Sequence, residues 1–115
     1  MAFNNDPVTV TNWPDGVPLS ELTIRRRLSD EGLAVYGWAN DPGDTYAAHS
    51  HSYNKVIYVV SGEITFGLPD QATQVVLEAG DRLYLPMGTR HSAMVGPLGV
   101  YCLEAHADVC LWIVA

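Results

Sequence analysis

The chain has 115 residues, 48% of them apolar, and a formal net charge of −7. That length builds one domain with a real core, and the composition is globular, not disordered. The acidity argues against nucleic acid, whose binders carry a basic stripe, and against anionic membranes; no apolar run approaches the ~20 residues of a membrane span.

The first eighteen residues contain Pro7, Pro14 and Pro18 and read as an arm laid over the domain or over a neighbouring subunit. Val8 to Thr11 alternates and suits a short edge strand. The start of the chain has no basic patch followed by an apolar stretch, so no signal peptide and a cytoplasmic location are expected. Residues 20–31 read as a helix: Ser20 is the expected N-cap, Leu19 is placed to staple to Ile24, and Gly32 sits where a left-handed residue ends a helix, with Leu33 meeting Leu28. A strand over Leu22–Leu28 is the competing reading. Arg25-Arg26-Arg27 is then the solvated side of that helix.

After Gly32 the texture turns to β. Strands are predicted at Leu33–Ala39, Lys55–Val60, Glu63–Leu68, Gln74–Leu77, Arg82–Leu85, Ala93–Val95, Val100–Ala105 and Val109–Val114. Ser61-Gly62 reads as the turn of a hairpin, and Asn40 to Asp44 and Pro69-Asp70 as turns. Many short strands punctuated by Gly, Pro and Asp argue an all-β barrel or sandwich over residues 33–115, with residues 1–32 forming the arm and one short helix. Cys102 and Cys110 show neither C-x-x-C nor zinc-finger spacing and read as buried small hydrophobes, a bridge between them remaining open.

Two segments carry the chemistry. Gly43 leads to His49-Ser50-His51, then Lys55, then Gly62; Gly80 leads to Pro86-Met87-Gly88, then His91. Imidazole is the commonest protein metal ligand. His49, His51 and Lys55 share parity, so one regular strand would aim all three the same way, with Tyr53 and Ile57 alongside and Tyr58 outward. Phe66, Leu83, Leu85, Met87 and Met94 read as barrel lining. Cys102, Glu104 and His106 alternate on one face of a late strand. If that face is inward, Glu104 can pair with Lys55; if outward, the three are ordinary surface.

These segments resemble the two motifs of the cupin superfamily, small double-stranded β-helix (jelly-roll) proteins. In the first motif Gly43, His49, His51 and Gly62 match, and Lys55 replaces a glutamate. In the second Gly80, Pro86, Gly88 and His91 match, and Val95 replaces an asparagine. The resemblance implies a divalent metal (Fe, Mn, Ni, Cu or Zn) on His49, His51 and His91, and a small, anionic or enolisable organic ligand in the barrel. It implies oxygenation, isomerisation or hydrolysis, and a homodimer; strand parity makes Lys55, Tyr53 and, on an inward face, Glu104 the candidate catalytic residues. The alternative is a non-enzymatic binding or sensor module with Lys55 as anion anchor.

Lys55 is the departure that matters. A divalent ion and an ammonium ~4 Å apart at an effective dielectric near 20 repel by roughly 8 kcal/mol. Three outcomes follow: Lys55 turns to a carboxylate such as Glu63 or Glu104, it gives up its proton, or the site holds an anion in place of a metal.

Overall fold

The structure, a computed structural model, describes residues 7–107. Among the described residues, seven strands and one α-helix form in the order β1 (Thr9–Thr11), α1 (Glu21–Asp30), β2 (Tyr36–Asn40), β3 (Thr45–His49), β4 (Asn54–Leu68), β5 (Thr73–Glu78), β6 (Arg82–Leu85) and β7 (His91–Ala107). All pairings are antiparallel.

β4 and β7 are the two long members and pair with each other along their length. The first part of β4 also pairs with β6, which carries β1 on its far edge, while the last part of β7 pairs with β2. Beyond a bulged stretch, the remainder of β4 pairs with β5 and the start of β7 with β3. The sheet thus folds over on itself and encloses an apolar interior of Ile57, Val59, Ile64, Phe66, Leu77, Leu83, Leu85, Val95 and Cys102. The expected hairpin at Ser61-Gly62 is therefore corrected: Lys55–Val60 and Glu63–Leu68 are one strand, as are Ala93–Val95 and Val100–Ala105. A left-handed glycine serves a bulge as well as a turn, and here register shifts at Val59/Ser61 and Gly62/Ile64 bend the strand without reversing it.

Gly62 shows why that bend tolerates no side chain. Its φ is +82°, and a Cβ there would lie 2.0 Å from the carbonyl oxygen of Gly99. Gly62→Ala is expected to cost upwards of ~2 kcal/mol, from left-handed strain together with the backbone clash. Thermal unfolding checks this, and an unchanged midpoint would refute the bend as described.

The opposite face of β4 explains its near-continuous apolar run. Val56 and Tyr58 point away from the interior and, with Leu103, pack under Ile24 and Leu28 of the helix. Tyr58 does face outward, but it is buried there at 3% exposure. The helix has the expected ends, which rules out the strand reading. Ser20 accepts from the Thr23 N–H at 3.1 Å, and the Thr23 hydroxyl oxygen accepts from the Ser20 N–H at 2.9 Å. At the other end Leu33 N–H donates to Leu28 C=O (3.1 Å) and Gly32 N–H to Ser29 C=O (2.9 Å), the paired bonds of a Schellman cap. Arg82 donates twice to Glu31, both at 2.7 Å, and pins the end of the helix to β6.

The arm lies over its own barrel. β1 pairs with β6, Val8 packs on the interior cluster, and Trp13 meets Tyr58 edge-on at 6.0 Å with Arg27 over its ring at 4.7 Å. Phe3, Cys110 and the strand expected at Val109–Val114 lie outside the described residues. Cys102 is fully buried, and burial pushes its thiol up to about 12.

Candidate metal centre and cavity

His49, His51 and His91 converge at one end of the folded sheet, their nearest ring nitrogens all within 4.8 Å of one another. The route differs from the expected one. His49 ends β3 and stands opposite His91, the first residue of β7. The strand stops there, and His51 belongs to the connection over residues 50–53, so shared strand parity is not what aims it. Two bonds from the next loop hold that connection. Gly88 N–H donates to the His51 carbonyl at 2.8 Å, and Met87 N–H donates to the Oδ1 of buried Asn54 at 2.8 Å. The Pro86–Gly88 turn, closed by Thr89 N–H on Pro86 C=O at 3.1 Å, thus positions both His51 and His91.

Backbone contacts also set which nitrogen each ring offers. His49 Nδ1 lies 2.7 Å from the Ala47 carbonyl oxygen and His91 Nδ1 lies 2.9 Å from that of Thr89. A carbonyl only accepts, so Nδ1 carries the proton in both rings and Nε2 keeps its lone pair. His51 Nε2 is buried and has no hydrogen-bond partner. Burial holds His51 below the usual imidazole range, with Lys55, His49 and His91 adding to the shift against Glu104. Burial likewise lowers His91, with the Thr89 carbonyl opposing and His49 and Lys55 reinforcing. Neutral rings with inward lone pairs are the metal-binding form.

Next to the histidines is a cavity of about 230 Å³ with an apolar wall of Ile57, Ile64, Phe66 and Ala93. Its other end is polar and is organised by Glu104, which lines the cavity and is 2% exposed. Trp38 Nε1 donates to Oε1 at 2.7 Å and the Tyr36 hydroxyl donates to Oε2. Lys55 Nζ stands 3.4 Å from Oε2 and His106 Nε2 3.3 Å from it. Glu104, not Glu63, is thus the carboxylate that Lys55 meets. Tyr53 bridges the two ends of the cavity, with its ring 4.9 Å from that of His51 and 3.9 Å from that of His106, stacked on both.

Two expected lining residues do not face inward: Met87 is 36% and Met94 56% exposed. Inward positions on β7 are Ala93 and Val95, so Met94 must face out, and Met87 sits in the Pro86–Gly88 turn. Tyr36, Trp38 and Tyr46 line the cavity and were not singled out by sequence. The alternation Tyr36-x-Trp38 on a strand paired with Glu104 and Cys102 is the signal that identifies the first two.

A family profile described as the cupin domain matches residues 38–95, half of the chain. This chain is a cupin. Solved structures agree. An RmlC-like cupin from Shewanella frigidimarina is 27% identical over 68% of this chain and 68% of that one, TM-score 0.57. A DUF861 family protein from Thermotoga maritima is 18% identical over 88% of this cupin and all of that chain, TM-score 0.61. The polyketide cyclase RemF from Streptomyces resistomycificus is 24% identical over 66% of this cupin but only 55% of its own length, TM-score 0.59. At such identities the latter two speak for the fold alone. No curated protein matches the chain. Among the described residues no helix is long and apolar enough to cross a membrane.

Proposed function

We propose that this cupin holds a divalent metal ion with His49, His51 and His91 and binds a small anionic organic ligand in the adjoining cavity. The observation that carries the reading is His51 Nε2, buried beside two rings whose Nδ1 atoms are already committed to backbone carbonyls. A buried polar atom without a partner costs about 1–3 kcal/mol, and a cation among three lone pairs removes that cost. The donor set suits Fe, Mn, Ni, Cu or Zn. When bound, such an ion supplies a Lewis acid with open positions for ligand, dioxygen or water, the requirement for oxygenation, isomerisation or hydrolysis.

The remaining roles belong to the protein. Three uncharged ligands leave the ion's charge for the organic ligand to balance, which favours an anion. Ile57, Ile64, Phe66 and Ala93 keep water from one wall. Lys55 has ammonium donors beyond the one turned to Glu104 and offers them to the ligand. The alternative, a metal-free module using Lys55 as its anion anchor, is disfavoured because Glu104 already balances that charge.

Elemental analysis of protein purified without a histidine tag tests the reading. Near-stoichiometric divalent metal is expected; metal-free protein that also takes up none in titration would refute it. We include a homodimer in the proposal, because β1, β2, β3 and β5 each leave an edge without a partner strand among the described residues. Light scattering at micromolar concentration should give twice the chain mass, and the chain mass alone would remove this part.

A further inference from the structure

The polar end of the cavity continues to the surface. Tyr36 donates its hydroxyl proton to Glu104 Oε2, and the Tyr36 hydroxyl oxygen lies 3.0 Å from His106 Nε2, within reach of that N–H as acceptor. Glu104 is buried, whereas the His106 side chain is 42% exposed and Tyr36 is 44% exposed. Lys55, 15% exposed, touches Glu104 from the cavity side. Lys55, Tyr36 and His106 thus meet at Glu104 Oε2, with Lys55 largely buried and the other two open to solvent. They come from three strands: Tyr36 on β2, Lys55 on β4, and Glu104 and His106 on β7.

We propose that Lys55, Glu104, Tyr36 and His106 form a proton relay between the cavity and bulk water. The inference deepens the proposed function and rests on the cavity being the ligand site. It makes the chemistry there one that adds or removes a proton, as at an enolisable carbon or an alkoxide. In the delivering direction Lys55 gives an ammonium proton to the ligand and becomes an amine. His106 takes a proton from water at Nδ1 and releases its Nε2 proton to the Tyr36 oxygen. The Tyr36 hydroxyl proton passes to Glu104, and Glu104 passes one to Lys55. Lys55 ends cationic, Glu104 anionic and Tyr36 neutral, as they began, and His106 regains its first tautomer by exchange with water. One proton has moved from water to ligand, and no electrons have been transferred.

Each link has a physical reason to be there. Desolvation of Tyr36, followed by its bond to Glu104, raises its hydroxyl pKa, so it transmits a proton without resting as a phenolate. Trp38 fixes the other carboxylate oxygen, leaving Oε2 for Lys55, Tyr36 and His106. Tyr53 stacks on the His106 ring and restricts its rotation. Among the described residues, the charged or titratable groups facing His106 are Glu104, Tyr36, Tyr53 and, across the strand register, Lys55.

The test reads proton movement directly and needs neither ligand nor metal. In metal-free protein labelled with ¹⁵N-lysine, the solvent exchange rate of the Lys55 ammonium is measured by NMR from pH 5 to 8 in wild type, Tyr36→Phe and His106→Gln. Both substitutions should slow exchange about tenfold. If Tyr36 served only to hold the site together, removing its hydroxyl would loosen the pocket and speed exchange. Faster or unchanged exchange in either variant overturns the relay. Both residues are more than two-fifths exposed, so folding is not at stake; should one variant nonetheless fail to fold, the other decides alone. Metal content is scored separately in the same preparations. A failed relay in protein that binds metal leaves the metal site standing, and an intact relay in protein that binds none removes only the metal.

Discussion

His91→Ala should abolish high-affinity metal uptake, weakening it by more than about hundredfold, with His49→Ala and His51→Ala close behind. His91 is the most buried of the three, and its Nδ1 proton is spent on the Thr89 carbonyl, so its lone pair has no other use in the fold. Calorimetric titration with a divalent ion and elemental analysis of each purified variant measure the loss. Stoichiometric metal in His91→Ala would show that the ion sits elsewhere. Uptake should also fall with pH, because an imidazolium cannot coordinate. Burial holds His51 and His91 below the usual value, so their lone pairs survive to lower pH than that of a free imidazole near 6.5. The same shift acts on folding. In acid the unfolded chain binds these protons more readily than the native one, so metal-free protein should lose stability as pH falls below about 6.5.

The residues that punctuate the chain were the legible part of it. Gly32 and Ser20 bound a helix because a left-handed residue and a side-chain acceptor have few other uses there. The spacing of Gly43, His49, His51, Gly80, Pro86, Gly88 and His91 foretold three rings at one place. Continuity was less legible. Gly62 has the positive φ of a hairpin turn, and only its pairing partners reveal a bulge inside a fifteen-residue strand. The parity argument for His51 and Lys55 assumed an unbroken strand from residue 49 to 55; the chain leaves the sheet at Ser50 and re-enters it at Asn54. His51 reached the expected place for another reason, the Gly88 bond to its carbonyl, which joins residues too far apart for local pattern to show. The inward turn of Glu104 was undecidable from alternation alone, because Cys102-x-Glu104-x-His106 reads equally well on either face. What decides it is its partners, Trp38 and Tyr36 from one strand and Lys55 from another.

Substitutions of Lys55 and Glu104 should move metal affinity in opposite directions. The two groups stand 3.4 Å apart with opposite charges, so the pair as a whole contributes little field at the histidines. Removing the ammonium in Lys55→Met leaves Glu104 uncompensated, held by Trp38 and Tyr36, and the site gains one negative charge. Glu104→Gln leaves Lys55 uncompensated and the site gains one positive charge. Even in a medium as polar as water, a unit charge and a divalent ion ~7 Å apart interact by about 1 kcal/mol, so each change should shift affinity by about tenfold or more. Lys55→Glu restores the carboxylate of the usual cupin motif and should bind most tightly, although repulsion from Glu104 offsets part of the gain. Stability runs differently. Glu104→Gln strands a largely buried ammonium and should cost about 3–5 kcal/mol, while Lys55→Met leaves a carboxylate still bonded on both oxygens and should cost less. Calorimetric titration at fixed pH, paired with thermal unfolding, separates the two effects. Should Lys55→Met and Glu104→Gln shift affinity the same way, the pair acts through packing rather than charge. If wild type binds as tightly as Lys55→Glu, the lysine exerts no field on the ion, and the electrostatic account of this pocket fails at the residue that departs most from the family.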